Sequence, residues 1–429
     1  MIEHSRTMSK IPKLIITAHC DKAARANNED NCLVRANLSQ YEIQHIGDGP
    51  PYLSEEIDLD KAGCLLVVAD GMGGMNAGEV ASRIAVEAVS NFFDTQLDDV
   101  SGKSDEEIFR KIEEAIVYAD ENIKFDAEQN PDHSGMGTTI AILWLLNEKA
   151  YVGWCGDSRI YCYNTITRKL KRLTHDHSLV QLLVDEGDIT EIEAFDHPKN
   201  NIIMRSLGDS VDKVNPETLK TAVRLRTGDV FLLCSDGLYG ALPDNPRISK
   251  HPKDVNIESV LTAAAKSFSP KQLDLWNNLL WDKAENLFHD NVTSILCYVS
   301  NCSYEPKSFD LLAFQEEEDN RRRIKSLLSK LLVVLLLIGL LTAGIVCFVK
   351  YRKPKASVER KGDLSPADTL MIEPAVVDSP IVDVPDNKND IVLEQTQVKK
   401  KTHDSRINPE SNSGNEKEVK KEDYVVLDD

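Results

Sequence analysis

Residues 64–74, CLLVVADGMGG, run an apolar stretch from Cys64 to Ala69 straight into a carboxylate, Asp70, and then into a glycine-rich turn. A short β-rich apolar run bounded by turn residues reads as a buried strand, here one whose end hands an acid to a loop. Gly71, Gly73 and Gly74 permit a tight turn in which a backbone carbonyl can approach a cation closely. The turn is no Walker phosphate loop, because the GK[ST] ending is missing.

The same arrangement recurs along the chain. VFLLCSD ends on Asp236 and is followed by Gly237; YVGWCG leads into Asp157; Asp290 and Asn291 open VTSILCYV; Glu29 and Asp30 open NCLV. A single Asp at a strand end is ordinarily a turn residue or a helix cap. Five such places form a pattern. Carboxylates gathered at one end of a sheet repel one another unless cations neutralise them. An all-oxygen donor set points to Mg²⁺ or Mn²⁺ rather than zinc.

Further strand-length apolar runs occur at Leu14–Ala18, Thr138–Leu146, Ala150–Cys155, Val230–Cys234 and Val292–Val299. Helical periodicity marks Ala77–Phe93, Asp105–Glu128 with Ser104 as its N-cap, Val255–Ala265 and Gln272–Phe288. Residues 37–62 read as a long loop or irregular hairpin. Strands come in runs and helices in pairs, which predicts an α+β fold with antiparallel sheets over residues 1–302.

The whole chain has 429 residues, 41% hydrophobic and 28% charged, enough apolar content for a sizeable core and too little for a polytopic membrane protein. Its net charge of −20 argues against nucleic acid as a partner. The nine cysteines form no CxxC pair and several sit in apolar runs, so buried, reduced thiols are expected. Leu331–Val349 is 19 residues without a charge, flanked by basic residues on both sides, and is expected to cross a membrane as a helix. Residues 303–330 then form a juxtamembrane linker, and residues 350–429, without Phe or Trp, an expected disordered tail. The apolar stretch Leu14–Ala18 is shorter than a signal-peptide core, so the residues before the span are expected in the cytoplasm and the tail outside it.

Taken in order, Arg25-Ala-Asn-Asn-Glu-Asp30, Asp70-Gly-Met-Gly-Gly74 with Ala77-Gly-Glu79, Met136-Gly-Thr-Thr139, Gly156-Asp-Ser-Arg159, Leu173-Thr-His-Asp-His-Ser178, Cys234-Ser-Asp-Gly237 and Asp290-Asn-Val-Thr293 resemble the metal-dependent serine/threonine protein phosphatases of the PP2C (PPM) family in their bacterial form. The resemblance covers residues 12–300 and implies a β-sandwich of two antiparallel sheets flanked by helix pairs. It implies that Asp70 bridges two Mn²⁺ or Mg²⁺ ions, that Gly71 offers its carbonyl, and that Asp236 and Asp290 complete the ligand set. Glu29 and Asp30 would act directly or through water, Asp157 and Asp236 would hold a third, looser ion, and Arg25 would grip the substrate phosphate. The implied reaction is in-line attack on phosphorus by a water activated between the metals. Thr138, Thr139, Ser158 and Asn291 are expected to support the ligands rather than bind metal. Met72 stands where many eukaryotic relatives carry a histidine, which leaves the general acid unassigned; His175 and His177 are candidates, with solvated loop histidines the plainer reading. Leu179–Arg205 resembles the family's flap, and Leu242–His289 is longer than in a minimal member. Phosphorylated proteins would be the substrates and a Ser/Thr kinase the counterpart. The competing reading is a catalytically silent phosphoprotein-binding or membrane signalling scaffold.

Overall fold

The computed structural model describes residues 10–303 apart from 48, 74–76, 96–99, 101, 209–212, 245–247, 249–254 and 285–286, together with 335, 339 and 341–343. In the first third, β1 (Lys13–Asp21), β2 (Asp30–Arg35), β3 (His45–Ile46), β4 (Tyr52–Leu53), β5 (Ile57–Asp58) and β6 (Cys64–Met72) precede the helices α1 (Gly78–Thr95) and α2 (Asp105–Gln129). The middle holds β7 (Gly137–Thr138), β8 (Ile140–Leu146), β9 (Lys149–Cys155), β10 (Arg159–Asn164) and β11 (Lys169–Arg172), then α3 (Leu179–Glu186), α4 (Glu191–Phe195), β12 (Glu217–Thr218) and β13 (Val223–Arg224). The last third contains β14 (Asp229–Cys234), α5 (Asp236–Ala241), α6 (Ile257–Ser267), α7 (Leu273–Ala284) and β15 (Val292–Ser300).

Two antiparallel sheets result. One runs β11-β10-β14-β15-β1-β4, with β5 also on β1; the other runs β12-β9-β8-β6-β2-β3, with β13 on β9 and β7 on β6. The sheets pack face to face. The α1–α2 pair covers the second sheet and the α6–α7 pair covers the first, giving four layers. This is the layered α+β sandwich that the sequence predicts.

The period-two geometry of strands explains why these runs are apolar on both faces. On β14, Phe231 and Leu233 point into the core between the sheets, while Val230 and Leu232 join the core under α6 and α7. On β15, Ile295, Cys297 and Val299 face the other sheet and Leu296 faces the helices. α2 starts where expected, because Ser104 Oγ accepts from the Glu107 amide and the Glu107 carboxylate accepts from the Ser104 amide. The eight cysteines among the described residues are all buried and free, so the expectation of reduced thiols holds for them.

Two expectations change in detail. Residues 37–62 are not pure loop, since β3, β4 and β5 add short pairings to both sheet edges. The last predicted helix is shorter: a 3₁₀ turn over Pro270–Gln272 leads into α7, which ends at Ala284. Among the described residues no helix is long and apolar enough to cross a membrane, and the predicted span Leu331–Val349 lies largely outside them, as does the tail.

Removing the Leu296 side chain, fully buried under the outer helix pair, should cost about 3 kcal/mol through lost burial and the cavity left behind. Urea unfolding of Leu296→Ala would show it as a lower midpoint at unchanged slope. A loss under about 1 kcal/mol would mean that the outer helices do not close this core.

Candidate metal centre

The sandwich brings the predicted acids to one end of both sheets. Asp30 begins β2 and sits directly opposite Asp70 near the end of β6. Asp236 follows β14 as the first residue of α5, Asp290 lies two residues before β15, and Asp157 lies on the connection that carries the chain from β9 in one sheet to β10 in the other. Glu29 precedes Asp30, and its amide donates to Asn291 Oδ1 at 2.9 Å.

Backbone contacts hold these positions. Thr139 Oγ1 accepts from the Asp70 amide at 3.0 Å, and Thr138 Oγ1 donates to the Asp70 carbonyl at 2.9 Å. Ser158 Oγ lies 2.7 Å from Thr139 Oγ1. Asn291 Nδ2 donates to the carbonyls of Lys22 and Asn27, tying the Arg25 loop to the start of β15. Thr138, Thr139 and Asn291 therefore brace backbone, and Ser158 holds the Thr139 hydroxyl. Gly71 is required by close approach, since an added Cβ would collide with the carbonyl oxygens of Gly78 and Glu29. Gly237 is likewise pressed against the Asn291 carbonyl.

The electrostatics are unfavourable without a cation. Asp30 is 3% exposed and Asp157 4% exposed. Burial raises the pKa of Asp30, Asp157 and Asp236, each to about 7, and neighbouring carboxylates add to the rise. Asp70 is raised well above the usual range, by burial first and then by Asp30, Asp236, Asp157 and Asp290 around it. Burial and Glu79 raise Glu29, while Arg25 opposes the rise. Asp30 Oδ2 accepts from Ser235 Oγ at 2.6 Å. The Oδ1 atoms of Asp30, Asp157 and Asp236, by contrast, are buried with no hydrogen-bond partner. Buried carboxylate oxygens without donors are costly, and a hard divalent cation is the ligand that all-oxygen donors of this kind fit. Among the described residues no three acidic side chains already close on one point. The donors are gathered in place but not drawn tight.

Arg25, the predicted phosphate-gripping residue, is 53% exposed at its side chain and lies against the same cluster. Its Nη2 donates to Asp290 Oδ2 at 2.7 Å and its Nε to the His289 carbonyl at 3.1 Å.

Residues 56–276 match the protein phosphatase 2C family, a stretch that contains Asp70, Asp157 and Asp236. The chain belongs to that family. It is a protein phosphatase, and phosphatases of this family use divalent metal ions. It is 38% identical over 180 residues to the serine/threonine phosphatase Stp of Listeria welshimeri, covering 42% of this chain and 68% of the relative. It is 38% identical over 181 residues to the serine/threonine protein phosphatase PstP of Mycobacterium tuberculosis, covering 42% of this chain and 32% of that one. The solved structure of the serine/threonine phosphatase Stp1 from Staphylococcus aureus aligns with a TM-score of 0.53 at 29% identity, over 69% of this chain and 98% of that one.

In this phosphatase a cleft of about 680 Å³ is lined by Asp157, Asp236 and Asp290 of the cluster and by the flap residues Val180, Val184 and Phe195. The flap carries α3 and α4. His177 is neither a solvated loop residue nor a ready acid: it is buried, and its Nδ1 accepts from the Gly156 amide at 3.1 Å. His175 Nε2 lies 2.6 Å from Asp185 Oδ2. Sequence reasoning left Asp176 without a role and passed over Arg159, Tyr239 and Asp244. Asp176 grips the Arg159 guanidinium through three short contacts of 2.6–3.1 Å. The Gly-Asp-Ser-Arg motif contained Arg159, but its partners come from separate segments and carried no joint sequence signal.

The raised carboxyl pKa values give a pH test. Asp30, Asp157 and Asp236 titrate near 7 in the folded chain against about 4 when unfolded. The folded state therefore binds more protons across that window, and the cation-free protein loses stability as pH rises through it. Divalent cations take the deprotonated carboxylates, so Mn²⁺ should raise the unfolding temperature of the protein more at about pH 7.5 than at about pH 5.5. An equal shift at both pH values would sink this account of the cluster.

Proposed function

We propose that the domain hydrolyses phosphoserine and phosphothreonine esters of proteins at a centre of two divalent ions, Mn²⁺ or Mg²⁺, with a looser third. Family membership supports the reaction class. The observation that carries the metal reading is the set of buried, unpartnered oxygens on Asp30, Asp157 and Asp236 around Asp70. In this reading Asp70, the Gly71 carbonyl, Asp236 and Asp290 would hold the ions, and Glu29 and Asp30 would act directly or through water. Asp157 and Asp236 share the looser ion. When bound, the ions supply a water acidic enough to attack phosphorus at neutral pH, together with positive charge for the phosphate.

The chain's own groups then orient the ester. The Arg25 fork suits two phosphate oxygens. Its present partner is Asp290, so neutralising that carboxylate releases the fork to the substrate while the His289 carbonyl still steers its Nε. Thr138 and Thr139 hold the Asp70 backbone from both sides, which fixes where its carboxylate enters the site. His177 Nδ1 accepts from the Gly156 amide and His175 Nε2 pairs with Asp185.

On a phosphothreonine peptide with Mn²⁺, Asp70→Asn should lower turnover by roughly 100-fold or more, the scale of losing a principal charge-stabilising element. EDTA should abolish it. The cation-free Asp70→Asn protein should also unfold at a higher temperature than the wild type near neutral pH, because the fold no longer holds a carboxyl whose ionisation it strongly disfavours. Turnover that survives either treatment would reject the metal-dependent reading.

We further propose that Leu331–Val349 anchors the phosphatase in a membrane, with the catalytic domain on the cytoplasmic face, near substrates of a Ser/Thr kinase, and residues 350–429 beyond it. Its uncharged length and basic flanks support this. After alkaline carbonate washing the full chain should stay with the membrane pellet, and a chain ending at residue 330 should be released. Release of the full chain would refute the anchor.

A further inference from the structure

One group of residues near the centre has no part in the ligand set just described. Asp157 uses its two oxygens differently. Oδ2 accepts a hydrogen bond from Tyr239 Oη at 3.1 Å, whereas Oδ1 is buried without a partner. Asp236 also has an unpartnered Oδ1, both acids line the cleft, and Asp236 is the neighbouring charge that acts most strongly on Asp157. Tyr239 stands three residues after Asp236 on α5, which sets the two side chains on one helical face.

Tyr239 is in turn held flat. The Arg159 guanidinium lies over its ring at 3.6 Å from the centroid. Arg159 is gripped by Asp176 and also donates to Asp244 Oδ2 and to Tyr161 Oη, each at 3.2 Å. Tyr161 Oη donates to Asp244 Oδ2 at 3.1 Å, which closes the network. A planar cation fixed at both edges and stacked on an aromatic face leaves the tyrosine little freedom to turn.

We propose that Tyr239 is a positioning residue for a divalent ion shared by Asp157 and Asp236: its hydroxyl occupies one oxygen of Asp157 so that the other is presented toward Asp236, and the Arg159–Asp176–Asp244 network sets the tyrosine. The inference rests on the metal reading above and adds which side chain tunes the looser site. A ligand carboxylate pinned by a neighbouring donor binds metal more tightly than a free one, and losing such a partner typically costs about 10–100-fold in affinity. The network also accounts for Asp176, which the motif left without a role.

Mn²⁺ titration of the detergent-solubilised full chain, with free Mn²⁺ read by electron paramagnetic resonance, tests the proposal without reference to turnover. Tyr239→Phe keeps the ring and its stack on Arg159 and removes only the donor. The weakest class of Mn²⁺ sites should lose about 10–100-fold in affinity while the tighter class stays as in the wild type. Asp157→Asn should remove that same weak class, and adding Tyr239→Phe to it should change nothing more. An unaltered weak class in Tyr239→Phe, or an equal loss of tight binding with or without Asp157, would overturn the role given to Tyr239. A wild-type chain that binds no Mn²⁺ would overturn the metal reading itself, a failure seen before any variant is made.

Discussion

Mutual repulsion among buried carboxylates is the constraint around which this domain is arranged. Asp30 and Asp70 meet across one strand pair, and Asp236 and Asp290 arrive from neighbouring strands of the other sheet. Asp157 sits on the connection that joins the two sheets. Asp30, Asp70, Asp157 and Asp236 lie where the apolar interior ends, so each loses hydration as well as gaining like-charged neighbours. Two stacked sheets with both faces buried provide the stiffness to hold such a cluster. The threonines, Ser235 and Asn291 add direct bonds at the places where the strands end.

The same constraint relates binding to stability. Groups that weaken the cation-free fold at neutral pH are the groups that give divalent ions a reason to bind. The Arg25–Asp290 contact belongs to this balance. It answers part of the negative charge with a group that also suits phosphate, so charge neutralisation at Asp290 and substrate capture by Arg25 draw on one ion pair. The Arg159 network differs in kind. Its charges are matched internally by Asp176 and Asp244, and it acts on the centre through the neutral hydroxyl of Tyr239.

Much of the fold was legible in the chain because its signals are local. The apolar runs around Val67, Leu143 and Leu232 are strand-length, and the Ser104–Glu107 box marks a helix start within four residues. The carboxylates at strand ends were legible for the same reason, each being a short pattern of apolar run, acid and glycine. The edge strands β3 to β5 were not, because two-residue pairings depend on a neighbour far along the chain. The behaviour of His177 was equally hidden. Its fate is set by the Gly156 amide and the Arg205 and Glu217 side chains, none of which the THDHS motif announces.

The amino-acid sequence by itself determined the layers, the order of motifs, the five acid-bearing strand ends and the oxygen-only chemistry, since periodicity, turn residues and side-chain type are local properties. Tertiary structure alone decided that Asp30 faces Asp70, that three of the acids keep an unpartnered oxygen, that Arg25 rests on Asp290, and that Tyr239 and Arg159 reach Asp157. Those facts depend on register and on packing between segments up to 265 positions apart, as in the Arg25–Asp290 pair. Burial and partner count exist only once the sheets have closed on each other.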